Sequence, residues 1–298
     1  MEKYWLIKND VSPDFAYAKN VIDYYAKSFS FASKFLPENK RWATFAVYAF
    51  CRYTDNIVDE PRERPEELIQ EEVQCMKKEL DNSYKFGESE HPAFSAFIKS
   101  AKIFNIPSKY AYDLIKGVQM DTHKSRYRNF SDLYLFCYRV ASVVGLMMTH
   151  ILGFKDEKTL DYAEKMGVAM QLTNILRDVR EDAQMGRIYL PQDELEDFGV
   201  KEEDIINNNF TPQFKDLIKF QVERAKKYYS DSVPGIKDLD KDSRFAIYAA
   251  GKIYGGILTK LEEVDYNPFL GRVYVPKLEK LMALVTEYFK RKTINVGS

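Results

Sequence analysis

Two short segments constrain this chain more than anything else in it. Residues 171–182, QLTNILRDVRED, and residues 48–60, YAFCRYTDNIVDE, each place D-x-x-x-D inside an apolar helical pattern. In the later segment Gln171, Asn174, Asp178 and Asp182 lie three, four and four apart, along one stripe of an α-helix. Leu172, Ile175, Leu176 and Val179 make the neighbouring faces apolar. In the earlier segment Tyr48, Arg52, Asp55 and Asp59 share a stripe, with Phe45, Val47, Phe50, Ile57 and Val58 around it. Helices so apolar turn toward a core, and these two would carry carboxylates in with them.

An acid pair at i,i+4 means little alone. With 45 acidic residues in 298, chance supplies on the order of seven, most of them solvated. Asp55 can pair with Arg52, and Asp178 with Arg177 or Arg180, as surface salt bridges of small value. Two such helices, each with amide, Tyr or Arg along the acid stripe, weigh against that reading. A buried carboxylate cluster needs cationic compensation. Mg2+, with Mn2+ as a substitute, suits an all-oxygen set of Asp55, Asp59, Asn174, Asp178 and Asp182 that leaves room for substrate phosphate. Zn2+ suits it poorly, because no Cys or His accompanies the acids. A di-iron bundle needs paired E-x-x-H motifs, and only Glu88–His91 matches, inside a Gly/Pro loop. His91, His123 and His150 read as structural or exposed.

Helical periodicity dominates the rest of the chain, and 13 Gly with 11 Pro favour long helices over many short strands. The pattern predicts helices over about 14–33, from Pro37 to about Asp59, and from near Glu66. A polar loop follows at 82–92, then helices at roughly 92–104, 108–121, 131–152 and 156–184. GRIYLP reads as extended. A short helix near 192–197 and the loop NNNFTP precede long helices at about 212–232, 241–264 and 276–290. No β-α alternation, fixed-period repeat or linker is visible, so the expectation is an all-α single domain over residues 1–298.

Charge and cysteine usage bound the setting. A net charge of −1 gives no footprint for nucleic acid. Cys51, Cys75 and Cys137 are far apart and read as free thiols of a reducing compartment. The N-terminus lacks the apolar core of a signal peptide, and Val140–Phe154 reads as too short to span a bilayer. The expected location is cytoplasmic.

At the acid motifs the sequence resembles the squalene/phytoene synthase family, and within it the bacterial-type phytoene synthases. The resemblance runs from about Tyr25 to Leu281 and is carried by five segments. They are KSFSFASKFLP (27–37), YAFCRYTDNIVDE (48–60), DLIKGVQMD (113–121), LYLFCYRVASVVG (133–145) and QLTNILRDVREDAQMGRIYLP (171–191). It implies an isoprenoid-synthase fold, helices around one deep cavity, and head-to-head (1′-1) joining of two prenyl diphosphates through a cyclopropyl intermediate. By the family pattern Asp55 and Asp59 form the first aspartate-rich motif, and Asp178 and Asp182 the second, both holding diphosphate through Mg2+. Gln171 and Asn174 match the polar positions before the second motif, and Arg52 the arginine before the first. Lys27 and Ser28 resemble N-terminal diphosphate contacts. Tyr48, Tyr138, Tyr189 and Tyr254 match cavity tyrosines, and Arg272 with Lys280 a C-terminal basic pair that meets phosphate. Two positions depart from the pattern: Asn56 stands where many relatives have a second consecutive Asp, and Arg180 where Gly is usual.

The implied chemistry needs these residue types. Diphosphate leaves as the allylic carbon becomes cationic, so cations must meet the leaving oxygens; Lys27, Arg52, Arg187, Arg272 and Lys280 are the candidates. Water must be kept from the carbocation, and Tyr48, Tyr138 and Tyr254 can line an apolar wall, or serve simply as core aromatics. Ala141, Ser142 and Gly145, like Gly251, Gly255 and Gly256, either let helices pack closely or leave room for a prenyl chain. The leading expectation is phytoene from two C20 geranylgeranyl diphosphates by way of prephytoene diphosphate. The alternative is a C15 enzyme making squalene or dehydrosqualene from farnesyl diphosphate, needing NADPH only if squalene is the product. A non-catalytic assembly factor stands outside both, and the four retained aspartates argue against it. A hydrocarbon product leads us to expect weak peripheral membrane contact, and downstream carotenoid or terpenoid enzymes as partners.

Overall fold

The structure, a computed structural model, describes residues 3–59, 65–276 and 279. Helix punctuation in the sequence sets its frame. Pro13, Pro92 and Pro212 open their helices in the first turn, where a missing N–H costs nothing. Asn129 and Thr211 cap theirs, accepting hydrogen bonds from the amides of Asp132 and Phe214 at 3.0 and 3.1 Å. Gly87 and Gly199, both left-handed, end two others.

The elements run in order as α1 (Pro13–Tyr25), α2 (Lys27–Ser33), α3 (Glu38–Asp59), α4 (Glu66–Phe86), α5 (Pro92–Ile103), α6 (Ser108–His123) and α7 (Phe130–Cys137). A π-helical turn (Tyr138–Ser142) joins α7 to α8 (Val143–Leu152). Then come α9 (Lys158–Arg177), α10 (Val179–Gln184), α11 (Gln192–Phe198), α12 (Glu202–Ile206), α13 (Pro212–Ser232) and α14 (Arg244–Glu263). The fold is all-α, as the periodicity requires; its one sheet among the described residues is a two-stranded hairpin, Leu6–Ile7 with Asp10–Val11.

Several boundaries differ from the sequence reading. The helix expected over 14–33 breaks at Ala26 (φ −132°, ψ 60°), and the corner lets α2 lie on α14 with Phe29 5.2 Å from Tyr254. Helix α4 continues to Phe86, into the predicted loop, until Gly87 stops it. The N-terminal hairpin and five-residue α12 are too short to leave a periodic signal. The helix expected at 276–290 lies outside the described residues.

Helix α9 is the centre of the packing, touching α7, the π-helix, α8, α13 and α14. Its closest crossing is with the π-helix: a Cβ on Gly167 would stand 2.4 Å from Ser142 Cα. On the other side of that turn, a Cβ on Gly117 of α6 would stand 2.7 Å from Arg139 Cβ. A Cβ on Gly145 would come within 3.1 Å of the Ala163 carbonyl oxygen. The small residues of this helix therefore serve close packing. The α7–π–α8 run is also long and apolar enough to cross a membrane by length and composition, contrary to the reading of Val140–Phe154 alone. Half of its apolar window is buried against α6, α9 and their neighbours, which makes it a core helix of this fold.

Away from the acids, Lys40 locks the start of α3. Its buried ammonium donates to the Leu152 carbonyl (2.8 Å), Asp240 Oδ2 (2.9 Å), Asp242 Oδ1 (2.8 Å) and Ser243 Oγ (2.9 Å). A buried charge with four partners is compensated, and it fixes α3 against α8 and the start of α14. The other end of α3 carries Asp55, about 22 Å further along at 1.5 Å per residue.

Candidate active site

On α9 the residues Met166, Met170, Gln171, Asn174 and Arg177 are only half-buried, although the helix is enclosed by others. Partial access thus runs along one stripe of a central helix. Asp178 ends that stripe at a bend (φ −106°, ψ 15°), where the chain passes into α10 without losing its backbone bonds: Asp178 N–H donates to Asn174 O and Asp182 N–H to Asp178 O, both at 2.9 Å.

Asp178 is clasped by two guanidinium groups. Arg177 Nε donates to Oδ1 at 2.7 Å, and its Nη2 donates to Oδ2. Arg272 reaches the same carboxylate from beyond α14, Nε to Oδ1 at 3.0 Å and Nη2 to Oδ2 at 3.3 Å. Of the two surface salt bridges that the alternative reading allows Asp178, the one with Arg177 forms, but it is mostly buried, with side chains 14 % and 20 % exposed. Arg180, the departure from the family pattern, points elsewhere: Nη1 donates to the Phe269 carbonyl at 3.1 Å. It anchors the segment leading to Arg272 and leaves the acids alone.

Asp182 lies deeper. Burial, then the charge of Asp178, pushes its carboxyl up to about 7, against the pull of Arg187. Arg187 is buried and bonds Asp121 at 2.8 Å. Tyr189, also buried, donates its hydroxyl to the other oxygen of Asp121 at 2.6 Å. Burial and Asp121 together hold that phenol far above its usual range. Asp182, Arg187 and Tyr189 meet around a small cavity, closed by Ile175, Val179 and Ile205, with about 10 Å³ of space for a water's centre, at the lower limit for holding one.

The first motif reaches the second through tyrosines. Tyr48 lies within electrostatic reach of Arg52, Asp55 and Tyr254, and burial pushes its hydroxyl up to about 12. Tyr254 accepts a hydrogen bond from Arg177, the residue that grips Asp178, and burial raises its pKa. Electrostatic reach joins Asp55 to Tyr48 and Tyr48 to Tyr254, and hydrogen bonds join Tyr254 to Arg177 and Arg177 to Asp178, from α3 through α14 to α9. Arg52 packs its guanidinium over the Tyr25 ring, 4.5 Å from the centroid. Gln171 accepts from Asn174 Nδ2 at 3.3 Å. Lys27 is exposed at the start of α2.

Other expected site residues fall differently. Tyr138, on the π-helix, has Asp113, Glu164, Tyr110 and Arg139 as its charged and phenolic neighbours and packs on the α3–α5–α6–α8 core. No described contact joins it to Tyr48 or Tyr254. The Tyr189 ring packs against both Tyr127 and Phe136, with centroids 5.7 and 5.3 Å away in a three-ring cluster, so it is a core aromatic with a bonded hydroxyl. Gly256 serves packing, since a Cβ there would lie 3.0 Å from Val275; Gly251 and Gly255 have ordinary clearance, 3.4 and 3.9 Å. The Asp59 and Ser28 side chains and all of Lys280 lie outside the described residues.

The donors present suit a divalent cation. Asn174 Oδ1 and Glu181 Oε2 are buried without a hydrogen-bond partner among the described residues, an arrangement that costs free energy unless something binds there. Glu181 lies three residues after Asp178, a spacing that puts it beside that carboxylate, and the spacing is the signal for it in the sequence. Among the described residues no three acidic, imidazole or thiol side chains converge on one point.

The Squalene/phytoene synthase family model matches residues 22–279. The chain is 38 % identical over 272 residues to Phytoene synthase 1, chloroplastic, of Solanum lycopersicum, covering 89 % of this chain and 65 % of that one. It thus spans about two thirds of that relative's length. It is 35 % identical over 288 residues to the 15-cis-phytoene synthase of Synechocystis sp., covering 93 % of this chain and 85 % of the other. Among solved structures, a dehydrosqualene synthase in complex with ligand superposes with TM-score 0.85 at 30 % identity, over 93 % of this chain and 97 % of that one. Squalene synthase HpnC from Alicyclobacillus acidocaldarius superposes with TM-score 0.79 at 26 % identity, over 86 % and 95 %.

Proposed function

The chain belongs to the squalene/phytoene synthase family, and from that premise we propose that it joins two geranylgeranyl diphosphates head to head into phytoene, through prephytoene diphosphate, releasing diphosphate. The observation that carries the reading is that half-buried Tyr48, Tyr254 and Arg177 lie within electrostatic or hydrogen-bond reach of one another between the two acid motifs. The family match over residues 22–279 supports treating the chain as one catalytic unit.

In this reading Asp55, Asp59, Asn174, Asp178 and Asp182 hold Mg2+, supported by the orphaned Asn174 oxygen and the raised Asp182 carboxyl. Bound Mg2+ neutralises diphosphate and makes it a better leaving group. Arg52, Arg187 and Arg272, with Lys27, Ser28 and Lys280, orient the diphosphate oxygens, and Gln171 orients Asn174. Arg272 has a double task, since it must exchange Asp178 for substrate. In this reading Tyr48 and Tyr254 line the substrate cavity, and their hydroxyls, raised by burial, stay protonated at neutral pH. Their rings exclude water and stabilise the allylic cation, each by about 0.5–2 kcal/mol when desolvated. Tyr138 and Tyr189 act behind that wall.

Incubation with labelled geranylgeranyl or farnesyl diphosphate and Mg2+, followed by product chromatography, tests the assignment. A C40 product from geranylgeranyl diphosphate is expected; exclusive C30 product overturns it. The similarity to a dehydrosqualene synthase structure favours the C15 reaction as the second reading, and NADPH dependence would then mark squalene. An apolar product supports weak contact with lipid and hand-over to a carotenoid or terpenoid enzyme in a cytoplasmic setting. Co-sedimentation with liposomes is the check, and none with product-loaded enzyme would remove that part.

A further inference from the structure

We propose that Asp121, at the end of α6, is a positioning residue that holds Arg187 and Tyr189 in register beside the second acid motif. The inference rests on the reading of Arg187 as a diphosphate contact. One carboxylate serves both partners: Oδ2 meets Arg187 Nη1 at 2.8 Å, and Oδ1 accepts the Tyr189 hydroxyl at 2.6 Å. The ion pair is buried on both sides, with side chains 8 % and 14 % exposed. A guanidinium enclosed to that degree needs a counter-charge that stays in place when substrate departs. Asp182 cannot be that counter-charge if it binds metal, and Asp121 can.

The backbone around the pair is equally fixed. Arg187 N–H donates to Asp182 O at 2.8 Å, Ile188 N–H to Ser125 O at 3.0 Å, and Gln192 N–H to Tyr127 O at 2.8 Å. Residues 187–192 are thus laid along 125–127, with Arg126 Nη1 closing the start of the run on the Gly186 carbonyl at 2.8 Å. Tyr189, pinned by Asp121 at its hydroxyl, is stacked at its ring on Tyr127 and Phe136. Asp121 therefore joins α6 to the segment after α10 at the one point where that segment presents a cation to Asp182. Side chains that orient a binding group cost about 10- to 100-fold in affinity or activity when removed.

The test compares wild type, Asp121→Asn, Arg187→Gln and the double variant, in turnover of geranylgeranyl diphosphate and in calorimetric binding of inorganic diphosphate with Mg2+. Asp121→Asn should weaken diphosphate binding and lower kcat/KM by about 10- to 100-fold, and the double variant should be no worse than Arg187→Gln. Wild-type affinity in Asp121→Asn, or losses in the double variant that multiply, would overturn the proposal. Should Asp121→Asn fail to fold, Asp121→Glu decides. It keeps the charge and moves it by one methylene, so a loss of about threefold or more at an unchanged melting temperature supports positioning, and unchanged affinity refutes it. Wild-type protein that binds no diphosphate with Mg2+ would defeat the underlying reading instead.

Discussion

Asp55 rides on an unbroken 22-residue helix, whereas Asp178 sits at the bend between α9 and α10. Both belong to D-x-x-x-D motifs of identical spacing. The surroundings differ as much as the backbones. Asp55 shares its helix with Arg52, Tyr48 and Cys51; burial raises the Tyr48 phenol, against the pull of Arg52, and raises the Cys51 thiol, with the charge of Asp55 adding to the latter. Asp178 is gripped by Arg177 and Arg272, and Asp182 behind it is pushed toward neutrality. Equal spacing therefore sits in two different backbone settings. On the proposed reading, an ion arriving at the second motif competes with Arg272 for Asp178, and the displaced arginine becomes available to diphosphate.

The harshest way to break this contrast is to neutralise one acid in each motif. Asp55→Asn and Asp178→Asn should each lower kcat/KM for geranylgeranyl diphosphate by about 10²- to 10³-fold. A near-wild-type rate in either, in a steady-state assay with saturating Mg2+, would dissolve the shared site. Next in size is the scaffold. Gly167→Ala forces a methyl into the Ser142 backbone and should cost about 1–3 kcal/mol, read as a lower melting temperature. Gly251→Ala, where Met166 Cε stands 3.4 Å away, should be neutral or slightly stabilising.

A third comparison uses pH. Asp182 titrates near 7 when folded, against an ordinary 3.8 when unfolded. Between those values the folded state keeps a proton that the unfolded chain has lost, so metal-free stability falls as pH rises from about 4 to about 7. The loss should be on the order of 1–2 kcal/mol after solvent screening at this half-buried site. Melting curves at pH 5 and pH 8, with chelator and with Mg2+, should show Mg2+ restoring stability only at the higher pH. Asp182→Asn should flatten the profile, and a first-motif variant should not. A modest effect is expected of Arg180→Ala, which removes one hydrogen bond to Phe269 and should cost about 0.5–1.5 kcal/mol in stability, read as a lower melting temperature.

Much of this was legible beforehand, for physical reasons. Long amphipathic helices announce themselves through period, and stripes of acids through spacing. The bend at Asp178 and the π turn at Tyr138 were not legible, because each sits inside an unbroken apolar pattern and arises from what crosses it. Asp121 was quoted within a motif yet carried no spacing of its own; its role comes from partners 66 and 68 residues away in the chain. Arg177 has no role that spacing alone assigns, since sequence does not reveal how deeply α9 is enclosed.

The π turn has a consequence for how this chain tolerates changes of length. Residues 138–142 hold one residue more than regular α geometry would over the same rise. A deletion there could close the helix to ordinary pitch while Phe136 and Met147 kept their present phase. The same deletion within α8 would swing everything beyond it by about 100° and carry Ile151 out of the core. The long helix contains a spare link, and homologues shortened by one residue in this region should have lost it at that turn.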